Sequence, residues 1–338
     1  TRARVLITSS DGTLTLLRRH RERLERRVAL TLAKKAALDI AVDKEHTLEI
    51  ASSLGLSIPR AVSVHSVSEL NEALREIGLP AVVKPIESWV DNGQKRARFI
   101  AQLVTTFDEA KKAVNVLTST GNAVLFQQFL SGKRESMHFM YSSGQMYARF
   151  AQWAKRTYPP LGGSSVLRQS IAIPFDIGMQ AERLVREIDL EGYSEVEFRR
   201  SSTGTPYLME INPRLSASIE LAVSTGVNFP HLLYQWASGE RIDMVKDYSV
   251  GHWMRYLGGD ILATVAAVQE RGRPGVAPPS RAIFDFCSSF FVPMHYDYID
   301  WSDPAPMCSA TTSFTSHLLH LVKTNLVMQN SKGGVANA

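Results

Sequence analysis

The chain has 338 residues, 44% of them hydrophobic, and a formal net charge of +5. That is enough for a sizeable core and for more than one domain or subdomain. No apolar run approaches the roughly 20 residues of a bilayer span, and the opening "TRARVLITSSDG" has too short an apolar stretch for a signal peptide. The two cysteines, Cys287 and Cys308, are too few for a disulfide framework or a Cys-based zinc site, so a cytoplasmic protein is expected.

In chain order, "ARVLIT" reads as a short buried strand and "SSDG" as a turn that starts a helix. The pattern from Leu14 to about Leu38 is helical and basic, with six arginines between Arg18 and Arg27. Such a run can bind nucleic acid, but no aromatic side chains are interleaved to stack on bases. A solvated, charge-paired helix face is the simpler reading. "DKEHTLEIASSLG" is a helix ended by Gly55, and "SVSELNEALREIG" is a helix capped by Ser66 or Ser68, with Leu70, Ala73, Leu74 and Ile77 facing inward. "LPAVVKP", "RFIAQLV" and "AVLFQQFL" are strands. "TTFDEAKKAVNVLTST" is a helix with Thr106 near its cap.

Two hairpins follow, one turning at "SSGQ" and one at "SSTG", with the helix "DIGMQAERLVREIDL" between them. "SASIELAVSTG" starts another helix. Beyond Arg241 come the helix "GGDILATVAAVQE", the linker "RGRPGVAPPS", two helical stretches and the tail "MQNSKGGVANA", expected to be disordered. The sum is an α+β architecture of mostly antiparallel sheets with helices on one face.

The second hairpin carries the chemistry. In "PYLMEINPRLSASIE", Glu210, Asn212 and Arg214 occupy alternate positions. They therefore project from one face of a strand, about 6.6 Å apart. Across the turn, Glu195 and Glu197 share a face, and a hairpin brings Glu197 beside Glu210. Carboxylates facing one spot repel unless a cation neutralises them. Hard oxygen donors suit Mg2+, which completes its shell with phosphate oxygens and water. Arg214 then offers its fork to a phosphate or carboxylate.

The string "MEINPRLSASIELAVSTGV" resembles the ATP-grasp superfamily, especially its biotin carboxylase and carbamoyl-phosphate synthetase branch. The resemblance implies an ATP-grasp fold in which two α+β subdomains sandwich the nucleotide. It implies metal ligands at Glu197, Glu210 and Asn212, with Mg2+ as the ion and Mn2+ as an alternative, and an active-site arginine at Arg214. "DKEHTLEIASSLGLSIP" is similar to the family's opening helix, with Lys44 as a phosphate contact, and "LPAVVKP" places Lys84 on the nucleotide phosphates. "VLFQQFLSGKRES" looks like the hinge, which implies cofactor binding by Gln127, Gln128, Phe129 and Leu130 and ribose binding by Glu135. Together these matches run from about residue 43 to 240. They imply boundaries at 1–42 (a remnant of an N-terminal α/β domain), 43–120 and 121–240 (the two ATP-grasp subdomains) and 241–338 (a C-terminal extension).

Three stretches depart from the family pattern. The loop "IESWVDNGQKRARF" has only Gly93, with Lys95, Arg96 and Arg98 in place of glycines, and is expected to close over ATP. Only about 42 residues precede the "DK" helix, which suggests a truncated N-terminal domain. In "PPLGGSSVLRQS", Gly162 and Gly163 permit a tight bend and Arg168 offers a fork to an anion, so that Arg168 joins Lys84 and Arg214 as a candidate catalytic residue.

The implied reaction is ATP-dependent ligation. A substrate carboxylate becomes an acyl phosphate, and an amine or similar nucleophile then displaces phosphate. The alternatives are bicarbonate activation of the carbamoyl-phosphate or biotin-carboxylase kind, and a non-catalytic nucleotide-binding module. No biotin-carrier "AMKM"-like stretch is present to support the biotin reading. The expected partners are small carboxylate and amine substrates and, at most, a second copy in a homodimer. No membrane and no nucleic acid partner is expected.

Overall fold

The computed structural model describes residues 3–91, 96–119, 121–160 and 162–316. Lys95, the side chain of Arg96 and the tail "MQNSKGGVANA" lie outside the described residues, so the expectations placed on them are not taken further.

The first elements are β1 (Val5–Leu6), α1 (Asp11–Arg19), α2 (Arg21–Glu25), β2 (Ala29–Leu30) and α3 (Lys35–Val42). One long basic helix was expected here. The chain instead turns after α2, and "AL" pairs in parallel with β1. Leu30, Leu32 and Ala33 are buried in the main core, which explains why this stretch leaves the helical path. The predicted remnant therefore packs into the body of the protein, sharing one hydrophobic cluster with the central sheet.

The first α+β unit comprises α4 (Lys44–Ser53), β3 (Ala61–Val64), α5 (Leu70–Ile77), β4 (Ala81–Pro85), β5 (Trp89–Asp91), β6 (Arg96–Arg98), β7 (Gln102–Val104), α6 (Phe107–Thr118) and β8 (Val124–Gln128). Asp43 caps α4 by accepting from the His46 amide at 3.0 Å, and Thr106 caps α6. The start of α5 differs from expectation: Ser66 makes no side-chain cap bond, and a 3-10 turn over Val67–Glu69 leads into the helix. Strands β3, β8, β4 and β7 form an antiparallel sheet in that order. One face packs on α5 and α6 through Leu70, Ala73, Ile77, Val114 and Phe126. "RFIAQLV" divides between β6 and β7 and is not one strand.

The second unit holds β9 (Lys133–Ser142), β10 (Gln145–Tyr158), β11 (Ser164–Ser170), α7 (Phe175–Glu187), β12 (Gly192–Arg200), β13 (Pro206–Asn212), α8 (Ile219–Ser224) and α9 (Phe229–Ser238). It is followed by β14 (Trp253–Arg255), α10 (Leu257–Gln269), α11 (Pro279–Ser288) and β15 (His295–Tyr296). Its seven-stranded sheet has the order β13-β12-β9-β10-β11-β14-β15. Both predicted hairpins are present.

Helices cover both faces of this sheet, where one covered face was expected. Met137, Phe139 and Tyr141 point toward α7, while Met140, Phe150 and Tyr193 point toward α9. An interior strand such as β9 is buried on both sides and loses the simple polar–apolar alternation. The expected division at residue 240 runs through this sheet, because β14 and β15 extend its far edge. Three arginines seal that edge. Arg255 and Arg156 both reach Asp260, at 2.6 and 2.5 Å, and Arg168 reaches Asp297 at 2.6 Å. Among the described residues no helix is long and apolar enough to cross a membrane.

Candidate active site

The two sheets face each other across a cleft. From the small sheet, Val82 and Lys84 of β4 and Gln127 of β8 point into it, since alternate residues of a strand share a face. From the large sheet come Arg134, Glu197, Arg199, Met209 and Glu210, and from α4 comes Lys44. The cleft measures about 120 Å3 and opens into a chamber of about 540 Å3. The chamber is walled by Asp11, Trp89, Tyr158, Ser164, Glu195 and Arg214, among others, and shares Arg134, Glu197 and Glu210 with the cleft.

The register of β12 on β13 sets the acidic centre. Glu197 stands opposite Glu210 and Glu195 opposite Asn212. Past Glu197 the next partners are Phe198 and Leu208, so Met209 is an unpaired bulge residue, and it lines the cleft. Burial, partly offset by Arg134, raises the Glu197 carboxyl to about 7, with Glu195 and Glu210 adding to the rise. Burial also pushes Glu195 up. At Glu210 burial works in the same sense, but Lys44, Lys84, Arg134 and Arg214 outweigh it and hold the carboxyl below its usual value.

The basic residues converge on these acids. Lys44 Nζ donates to Ser88 Oγ at 2.9 Å and lies 3.7 Å from Glu210 Oε2. Burial lowers the Lys84 ammonium to about 8, despite the attraction of Glu210. Arg214 donates from Nε to Asp11 Oδ1 at 2.5 Å and from NH2 to Asn212 Oδ1 at 3.1 Å. Asn212 in turn donates from Nδ2 to Glu195 at 3.3 Å and Glu197 at 3.1 Å. His138, below this layer, bonds Ser136 and the Tyr193 hydroxyl, and burial drives it down to about 3, so it is neutral.

The structure thus brings together Lys44, Lys84, Glu197, Glu210, Asn212 and Arg214, as well as the hinge residues Gln127, Gln128, Phe129 and Leu130. Gln127 is fully buried, and both its side-chain polar atoms lack a partner. The Gln128 amide is already given to the Arg60 carbonyl at 2.8 Å, which leaves the backbone of Phe129 and Leu130 for a base edge.

Two assigned residues are elsewhere. Glu135 sits on β9 next to Arg134, so strand alternation turns it to the opposite face. There it accepts from Arg200 at 2.8 Å and lies 3.3 Å from Lys133. It does not line the cleft, and its carboxylate is taken up by these two cations. Arg168 is fully buried behind β11, with its fork on both oxygens of Asp297 at 3.0 and 2.6 Å. It holds the sheet edge and does not face the chamber.

Three further site residues went unassigned in the sequence. Arg134 bonds Glu197 and the Gly163 carbonyl. Its signal was available in the alternation Arg134, Ser136, His138 along β9. Arg199 shares the same face of β12 as Glu197. Asp11 had no local signal, because its partner Arg214 is distant in the chain. Gly163 is a packing glycine: a Cβ there would lie 1.8 Å from the Tyr158 carbonyl oxygen.

The residues fit a hard divalent cation. Glu197 and Glu210 are paired in register, Asn212 is adjacent, and the Glu197 carboxyl is raised chiefly by burial, with Glu195 and Glu210 adding to it, a cost that a cation relieves. Among the described residues no three His, Cys, Asp or Glu side chains form a self-sufficient metal cluster. Phosphate oxygens and water would therefore complete such an ion's shell.

Residues 122–256 match the family described as ATP-grasp in the biosynthetic pathway with Ter operon. The chain is 24% identical over 220 residues to the carbamoyl phosphate synthase large chain of Methanoculleus marisnigri, covering 62% of this chain and 20% of that one. It therefore spans about a fifth of that relative's length. In structure it resembles the biotin carboxylase domain dimer of Hydrogenobacter thermophilus 2-oxoglutarate carboxylase, in complex with MgADP, ADP and bicarbonate. That likeness has a TM-score of 0.60 at 15% identity and covers 75% of this chain and 57% of that one. It also resembles the L-amino acid ligase of Bacillus licheniformis, with a TM-score of 0.53 at 20% identity, covering 69% and 55%.

Proposed function

We propose that this chain, which carries an ATP-grasp domain related to those of carbamoyl phosphate synthases and biotin carboxylases, is an ATP-dependent carboxylate–amine ligase. The observation that supports it most is the pairing of Glu197 with Glu210 at the junction of cleft and chamber, with Lys44 and Lys84 on one side and Arg214 on the other.

In this reading the nucleotide lies in the cleft, its base toward Gln127, Phe129 and Leu130. Lys44 and Lys84 balance the charge of its phosphates. Glu197, Glu210 and Asn212 would hold Mg2+, which withdraws charge from the phosphate oxygens and makes the terminal phosphorus electrophilic. As placed, Asn212 directs its Nδ2 at the glutamates, so holding a cation requires the amide to turn its oxygen inward. Arg214 positions the attacking carboxylate and stabilises charge that develops on the transferred phosphoryl group. Arg134 keeps Glu197 in place. The carboxylate oxygen bonds to phosphorus, the bond to the ADP oxygen breaks, and an acyl phosphate forms. An amine in the chamber, having given its ammonium proton to solvent, then attacks the acyl carbon; phosphate leaves with the nitrogen's second proton, and an amide results. The Hydrogenobacter neighbour is a dimer, and a homodimer is part of the proposal, to be checked by light scattering.

The test is ADP and phosphate release with Mg·ATP across a matrix of carboxylates and amines. Release that needs both partners supports the ligase. Tight nucleotide binding with no turnover on any pair favours a non-catalytic binding module.

A further inference from the structure

We propose that Glu195 is the receptor for a positively charged amine, so that the acceptor of this site is an amine bound as its ammonium form and not a neutral or anionic nucleophile. The inference rests on the ligase reading above and narrows its substrate class.

Charge matching in the chamber singles out Glu195. Every other carboxylate there has a cationic partner: Glu197 is bonded by Arg134, Glu210 lies 3.7 Å from Lys44, and Asp11 is held by Arg214 at 2.5 Å and by Arg98 at 3.5 Å. Glu195 is 4% exposed. Among the described residues its only ion-pair neighbour within 4.0 Å is His138 Nε2 at 3.6 Å. That ring already bonds Tyr193 at 2.7 Å through Nδ1 and Ser136 at 3.1 Å through Nε2. The other contacts of Glu195 are neutral: the Asn212 amide at 3.3 Å and the Ser136 hydroxyl. Arg134 and Arg214 act on this carboxylate through space, but neither pairs with it; burying a carboxylate without a paired cation is costly, and a ligand that brings the charge supplies that pair.

Position agrees with charge. Glu195 lines the chamber and not the nucleotide cleft, because it sits one strand pair further along β12 than Glu197. It is therefore on the side from which an acceptor approaches. Trp89 and Tyr158 wall the same chamber, and aromatic faces favour an ammonium. Ser216 and Ser218, joined Oγ to Oγ at 2.9 Å, add acceptor oxygens. The chamber is thus bipolar. Arg214 suits the carboxylate to be activated. Glu195 repels an anionic acceptor and suits the ammonium form of the acceptor, which releases one proton to solvent before the free amine attacks.

The experiment separates the two half-reactions. Hydroxylamine, uncharged at neutral pH, traps an acyl phosphate as a hydroxamate without using an ammonium site. Glu195→Gln keeps the shape of the side chain and removes its charge. The expected result is at least a tenfold rise in KM for cationic amines, exceeding at least tenfold any loss in hydroxamate formation. Equal loss of both half-reactions, or unchanged KM for cationic amines, overturns the proposal. If no carboxylate gives hydroxamate with the parent protein, the ligase reading fails by itself. The ammonium site is then judged by ligand-observed NMR on the Mg·ADP-loaded protein with glycinamide, agmatine and spermidine against neutral acetamide. Binding of the cations that Glu195→Gln abolishes sustains the site, and no preference for cations overturns it.

Discussion

Glu197 of β12 stands directly across from Glu210 of β13, and the two differ in electrostatic company. Glu210 has Lys44, Lys84 and Arg214 to hold it ionised, whereas Glu197 relies on Arg134 and is raised to about 7. Both should be needed for metal-dependent chemistry. Glu197→Gln and Glu210→Gln are expected to lower ATP turnover by more than the roughly 10–100-fold typical of losing a supporting partner of a metal ligand. Each should also raise the Mg2+ concentration for half-maximal rate. A magnesium titration of turnover checks both, and a variant with the parent's magnesium curve would remove that residue from the ligand set.

Lys84 gives the site a pH dependence. Burial places its free-state pKa near 8. A bound phosphate favours the charged form, so binding raises that pKa. Below pH 8 the ammonium is already formed and affinity for ATP is flat. Above pH 8 binding must take up a proton, so affinity falls, by up to about tenfold per pH unit until the pKa of the complex is reached. Lys84→Met should be weaker throughout and lack this fall. Isothermal titration between pH 7 and 9.5 measures the slope, and a parent slope of zero contradicts the assignment.

Arg168 should matter for stability and not for chemistry. Arg168→Leu leaves Asp297 without its bidentate partner, and breaking a buried pair of this kind costs about 3–5 kcal/mol. Urea unfolding should show that loss, and Arg168→Leu with Asp297→Leu should recover part of it. KM for ATP should not change in the folded variant. A large change in KM with little loss of stability would instead return Arg168 to the site.

Gln127 is a fully buried amide with an unused donor and an unused acceptor in the nucleotide cleft. An amide matches the N6 and N7 positions of adenine, and a bidentate pair of this type discriminates by about 1–3 kcal/mol. Gln127→Leu should therefore weaken ATP and shrink the preference for ATP over GTP by roughly 5- to 100-fold on that range. Competitive nucleotide binding reads the ratio directly.

What the sequence disclosed follows from the range of each interaction. The alternation of Glu210, Asn212 and Arg214 fixed a face, and the turn at "SSTG" fixed its partner strand, so the acidic centre was legible. Lys84 and Gln127 were legible only through the resemblance of "LPAVVKP" and "VLFQQFL" to the family; that they project from one face of adjacent strands is a feature of the fold. Glu135 and Arg134 show the limit: neighbours on one strand point to opposite faces, and the choice between them depends on which side the cleft lies. Arg168 looked free because Asp297 is 129 residues away. The strand β2 was hidden in a helical-looking run because its reason for forming is a parallel partner in β1 and a tertiary core. Burial on both faces of β9 likewise erased the pattern that would have shown helices on each side.

The bond between Asp11 and Arg214 joins residues 203 positions apart. Thr8 reinforces it by accepting the Leu215 amide at 3.1 Å. A chain emerging from the ribosome therefore displays Asp11 long before its partner is synthesised. Contacts of such high sequence separation form late, after loop-closure entropy has been met by more local structure. Arg214 takes the orientation seen here only once both ends of this span have met, so a nascent polypeptide cannot form this pair until Arg214 itself has been made.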